Sequence, residues 1–135
     1  MKIAILMALL LGSAAWAQTE PGETDVVVGS QYIELKPAFV TNYGGPGPLR
    51  FLKAEIALRV SGGEQGIRGV RHHMPYIRHE LIMLLSAQNP EDLETMEGKE
   101  LLRQSALAAV RNVLIEEEGN QYVDDLLFNN FIVQR

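Results

Sequence analysis

The chain has 135 residues, of which 47% are apolar and 21% charged, with a net charge of −5 and no cysteine. A chain of this size and balance builds one globular domain and lies outside the disordered range. Without cysteine the domain has no disulfide and no thiol nucleophile, and no basic cluster exceeds Arg68–His73, which excludes the charge footprint of a nucleic-acid binder.

Residues 1–17 form a unit of their own. Lys2 precedes an apolar run from Ile3 to Leu11, and Ala15-Trp16-Ala17 is a small-residue cleavage signature, placing a cut between Ala17 and Gln18. The alternative is a retained anchor. Ile3 to Ala17 spans roughly 22 Å as a helix at about 1.5 Å per residue, against a hydrocarbon core of about 30 Å. The mismatch favours cleavage, and with it export. Residues 18–30 begin as a polar, Pro- and Gly-bearing lead-in and end in a possible short strand at Val26-Val27-Val28, and residues 31–135 are the domain.

Tyr32 to Val40 is rich in aromatic and β-branched residues and predicts a strand. Pro37 within it lacks an N–H, which assigns that strand to an edge or a bulge. A turn follows at Tyr43-Gly44-Gly45-Pro46-Gly47-Pro48. In Phe51–Val60, Leu52, Ala54, Ile56, Leu58 and Val60 alternate with Lys53, Glu55, Ala57 and Arg59. Period two of this kind marks a strand with one buried and one wet face, returning antiparallel onto the first.

Val70, Met74, Ile77, Leu81 and Leu84 recur at helical spacing. Pro75 interrupts that stripe, so the helix is expected to start near Met74, preceded only by a looser turn, and to end at Asn89-Pro90. A second helix is expected from about Glu97 to Glu116, burying Leu102, Ala106, Ala109 and Val113. Its acidic end, Glu116-Glu117-Glu118, opposes the helix dipole and should fray before Gly119-Asn120 stops it. Asp125 to Gln134 predicts a last strand in which Asn129-Asn130 bulges the ladder. The order strand, strand, helix, helix, strand gives an α+β fold, a small mainly antiparallel sheet with two helices packed on one face.

No constellation of reactive residues emerges. His72 and His79 lie two helical turns apart, about 10 Å, too far to share an ion, and His73 faces elsewhere. With Arg71 and Arg78 close by, the three histidines read as a solvated face, so no metal and no cofactor is expected. Glu91-Asp92, Asp124-Asp125 and Glu116–Glu118 have no apolar setting to shift a pKa and read as connector and surface. Ser86 and Ser105 lack a nucleophile-elbow context, and the prolines of the Gly44–Pro48 loop remove the N–H donors a phosphate cradle needs. An enzyme is therefore not expected. What is left is surface, chiefly the Pro37-bearing strand and the terminal strand with Asn129 and Asn130, both candidate edges for pairing with another chain.

The ordered set of segments nevertheless points somewhere. Leu84-Leu85-Ser86 closes a helix, Glu91-Asp92-Leu93 connects, and Glu97-Gly98-Lys99-Glu100-Leu101-Leu102-Arg103 opens the next helix. A strand then closes on Phe128-Asn129-Asn130-Phe131-Ile132-Val133-Gln134. Together with Phe51–Val60 this arrangement resembles the flagellar basal-body-associated FliL family over Tyr32 to Gln134. The resemblance implies a domain related to the stomatin/prohibitin type, placed at the inner membrane or in the periplasm. It also implies self-assembly into a ring and support of the flagellar stator in swimming and swarming. The competing class is a free periplasmic module that binds a small ligand or peptide on the same fold.

Overall fold

The computed structural model describes residues 31–134. The proposed cleavage at Ala17–Gln18, the lead-in and its valine strand lie outside the described residues. Three strands, β1 (Gln31–Asn42), β2 (Phe51–Val60) and β3 (Val123–Gln134), form one antiparallel sheet in the order β1-β2-β3. Between β2 and β3 the chain forms α1 (Gly63–His72), α2 (Met74–Ser86), a 3-10 turn (Asp92–Glu94) and α3 (Met96–Glu118). The fold is α+β as the sequence predicts, with three helices in place of two.

Rows of side chains across the sheet explain where the core sits. Ile33, Leu58 and Leu126 lie abreast, as do Leu35, Ile56 and Phe128, and then Phe39, Ala54 and Phe131. They share the face of Leu52 and Val60, and with Val70, Ile77, Leu81, Leu85, Leu102, Ala106, Val110 and Leu114 from the helices they form the core. Burying this apolar set is the main stabilising contribution, at about 25 cal/mol per Å² removed from water. The opposite face of β2 departs from expectation at one position. Lys53 is exposed and Glu55 and Arg59 are half-buried, but Ala57 is only 3% exposed. Its methyl group is overtopped by its neighbours abreast, Glu34 and Leu127.

Both proline and asparagine signals in the outer strands mark irregularities. The β1 register slips between Leu35 and Phe39, leaving Lys36, Pro37 and Ala38 against Glu55 alone. In β3, Asn130 stands opposite Glu55 and Phe128 opposite Ile56, so Asn129 is the extra residue of a bulge. The two slips flank the same point of β2.

The helix boundaries required correction. Residues 63–72 are a full helix rather than a loose turn, because the ring of Tyr122 packs on its glycines. A Cβ at Gly69 would lie 3.3 Å from that ring, and one at Gly66 only 1.9 Å from the Ser61 carbonyl oxygen. Three glycines at about 1 kcal/mol each against alanine make this segment a poor helix by propensity, and tertiary packing overrides it. The α2 helix stops at Ser86, before Asn89, as the N–H groups of Ala87 and Gln88 turn back to Leu84 and Leu85. In the stripe, Leu85 is fully buried and Leu84 only partly so. In α3, Val110 takes the core position expected of Ala109, which is half-buried. The helix begins at a Thr95 cap, whose Oγ1 accepts from the Gly98 N–H at 2.9 Å, and ends on left-handed Gly119. Its acidic end is fastened rather than frayed: Glu118 reaches His73.

Candidate interaction surface

The residues with chemical potential are mostly committed to holding the fold. His73 sits at the junction of α1 and α2, only 8% exposed, with Nε2 2.7 Å from Oε1 of Glu118. That corrects its reading as part of a solvated face. His72 is exposed and meets the His73 ring edge-on at 4.7 Å, and His79 is exposed on α2. Among the described residues no three His, Asp or Glu side chains converge on a metal position. Arg78 also departs from the solvated reading: it is half-buried, with its guanidinium 4.2 Å above the Phe39 ring.

The carboxylate pair at the start of β3 is structural rather than surface. Asp124 Oδ1 accepts from Ser61 Oγ at 3.3 Å, and Asp125 accepts from Arg103 and from the Leu126 N–H. Arg103 bonds Glu100 at the same time, and its Nη1 also donates to the Leu126 carbonyl at 3.2 Å. Hydrogen bonding from Arg103 holds the Glu100 carboxyl below its ordinary range, while bonding to Glu100, with the charge of Asp125 beside it, pushes the guanidinium up. Arg111 donates to the carbonyls of Val123 and Asp124 at 2.8 and 2.9 Å. Glu91 and Asp92 are exposed in the connector. Ser86 Oγ donates to the Met83 carbonyl, and Ser105 faces outward on α3.

The Gly44–Pro48 loop is tied down at its base. The Tyr43 N–H donates to the Arg50 carbonyl and the Gly44 N–H to the Gln88 carbonyl, both at 3.2 Å, joining the β1–β2 connection to the exit of α2.

The free surface is therefore the sheet. β1 and β3 are its outer strands. Arg103 and Arg111 occupy carbonyls of Val123, Asp124 and Leu126, so the outer side of β3 is guarded in its first half. The second half holds Asn129 and Asn130, both exposed. No sequence pattern marks the two arginines as strand guards, since their partners are main-chain groups 12 to 23 residues away. The helices pack on the face that carries Leu52 to Val60, and no element among the described residues covers the other face. A depression of about 570 Å³ sits there at the paired slips, lined by Glu34, Lys36, Pro37, Ala38, Glu55 and Asn129. Leu35 and Ile56 contribute its floor while their side chains remain in the core.

Against this geometry, the family model described as flagellar basal body-associated protein FliL matches residues 32–134, the whole of the described domain but its first residue. The chain belongs to the FliL family. A flagellar protein FliL from Aquifex aeolicus (strain VF5) is 29% identical over 107 residues, covering 79% of this chain. The match spans 63% of that relative, less than two thirds of its length. Within the FliL domain, Glu97-Gly98-Lys99 has a clear structural use. A Cβ on Gly98 would lie 1.7 Å from the Asp92 carbonyl oxygen, so the first turn of α3 can press against the 3-10 turn only with glycine there. No helix among the described residues is long and apolar enough to cross a membrane.

Proposed function

We propose that this protein is a non-enzymatic accessory of the flagellar basal body that works by assembly, with itself and with stator or other basal-body components, in support of swimming and swarming. One observation carries the reading: the FliL match covers 32–134, the whole domain apart from Gln31. The structural commitment of several polar residues supports it: His73 bonds Glu118, Arg103 bonds Asp125, Arg111 bonds the Val123 carbonyl and Ser61 bonds Asp124. The free second half of β3, with Asn129 and Asn130, is the edge through which copies associate.

The protein acts in the periplasm, and its mature form begins at Gln18. Intact mass of the exported protein checks this, with a mass that retains Met1–Ala17 pointing instead to an anchored form facing the periplasm. The decisive experiment deletes the gene and measures swimming and swarming, with rescue by a copy bearing an unrelated cleavable leader. Reduced motility restored by that copy supports the reading. Normal motility in the deletion strain favours the free ligand-binding module.

A further inference from the structure

The open face of the sheet carries more than an absence of helices. Val40, Lys53 and Ile132 lie abreast on it, with Phe51 one row further along. Val40 is 63% exposed and Phe51 and Ile132 are each 42% exposed, standing around a depression of about 270 Å³. Next to this apolar ridge lies the larger hollow at the slips, floored by main chain and by the small side chains of Pro37 and Ala38. Beyond it comes the row of Glu34, Ala57 and Leu127, low at its centre because Ala57 is small. Ridge and hollow are neighbours on one surface.

Charge follows the same arrangement. Lys53 and Glu55 are two residues apart on β2 and so point to the same side. Among the described residues neither takes part in an ion pair, although Glu34 and Lys36 at the rim pair at 3.2 Å.

We propose that this face is a self-association surface that takes the same face of a second copy, with the two β2 strands antiparallel. A two-fold axis lying between the sheets, across the strands at the level of Ala54, keeps β1 over β1 and β3 over β3. It sets Lys53 against the partner's Glu55, and Glu55 against the partner's Lys53. It lowers the ridge of Val40 and Ile132 onto the partner's hollow, and Phe51 onto the partner's Ala57. The alternative axis, along the strands, would oppose like charges and seat ridge on ridge. Antiparallel, aligned packing of two twisted sheets is an established way to close an open face. The face is about 33 Å long and about 15 Å wide, from ten residues and three strands. An interface of that size falls at the low end for specific complexes, so the dimer dissociates at roughly micromolar concentration or above. This surface is separate from the β3 edge and does not rest on the flagellar reading.

Reciprocal charge reversal tests it. Sedimentation equilibrium of the full exported chain and its variants is measured across a wide concentration range, with melting curves confirming that each variant folds. Lys53→Glu and Glu55→Lys should each weaken dimerisation by about tenfold or more, because each creates two like-charge contacts per dimer. The double variant K53E/E55K should dimerise as the wild type does, and an equimolar mixture of the two single variants should form a heterodimer. A strictly monomeric wild type at millimolar concentration overturns the proposal. So does a double variant as weak as the singles, or association abolished by Asn130→Pro yet indifferent to both charge reversals.

Discussion

At the scale of single residues, the sharpest constraints come from close approach and from arginine. Gly98 is the clearest, since main chain cannot retreat from a new methyl group as a flexible side chain can. Gly98→Ala should destabilise the domain by about 1–3 kcal/mol, the range for overpacked sites, read as a fall in denaturant midpoint. The glycine itself is visible in the sequence, but its reason is not, because the oxygen it meets belongs to a turn that no local pattern predicts. Arg103 makes the second case. It bridges Glu100 on its own helix to Asp125 on β3, so a residue that reads as an ordinary helix-surface charge joins two elements. Because the folded-state pKa of Glu100 is lowered, its contribution is full above the ordinary carboxylate range and is lost as pH falls through the lowered value. Wild type should therefore melt above Glu100→Gln at neutral pH, and the gap should close in strong acid. Half of the Glu100 side chain is open to solvent, which screens the pair, so the gap is small; a gap that widens on acidification would contradict the assignment.

Elements were legible where the hydrophobic period was clean. β2 alternates without a break, and four of its five predicted core positions are at most 1% exposed, Ile56 being 2% exposed. Ile56→Asp should unfold the domain, as an unpaired carboxylate placed in the core costs several kcal/mol, comparable with the stability of the whole fold. Glu55→Lys, one residue away on the open face, should leave the melting temperature of the monomer nearly unchanged. Similar losses in both variants would reverse the facing of the strand. The α1 helix was illegible for the opposite reason. Its glycines lower intrinsic helicity and remove the side chains that would show a stripe, while the group that stabilises it, Tyr122, comes from beyond α3. The end of α3 is likewise fixed by a group from a distant segment. The dipole argument for fraying is sound for an isolated helix, but Glu118 finds His73 and Gly119 supplies a cap.

For the whole molecule, the α+β class and the one-sided helix layer follow from the order of patterned segments, and so does the identity of the bulged strands. The candidate surface was only half legible. Asn129 and Asn130 mark the end of β3 that remains free, whereas the arginines guarding its beginning and the relief of the open face emerge only when distant segments are brought together. Asn130→Pro should therefore reduce edge-mediated association in sedimentation by removing an N–H from an outer strand, with about 1 kcal/mol or less lost from the monomer. A loss of fold instead of association would show that the end of β3 is needed for the core rather than for assembly.

The sheet order also fixes when the domain can exist. β2 is central, yet its second neighbour is β3, which the chain supplies only after all three helices; Leu52 waits for Val133, and Val60 for Val123. Until then Ile56 and Leu58 have a partner strand on one side only, and the floor under α3 is missing. Such long-range closure is slow compared with local helix formation. A chain crossing a membrane from its first residue onward would therefore reach the far side incomplete and sensitive to proteases. It would become resistant in a single late step, when the last strand arrives.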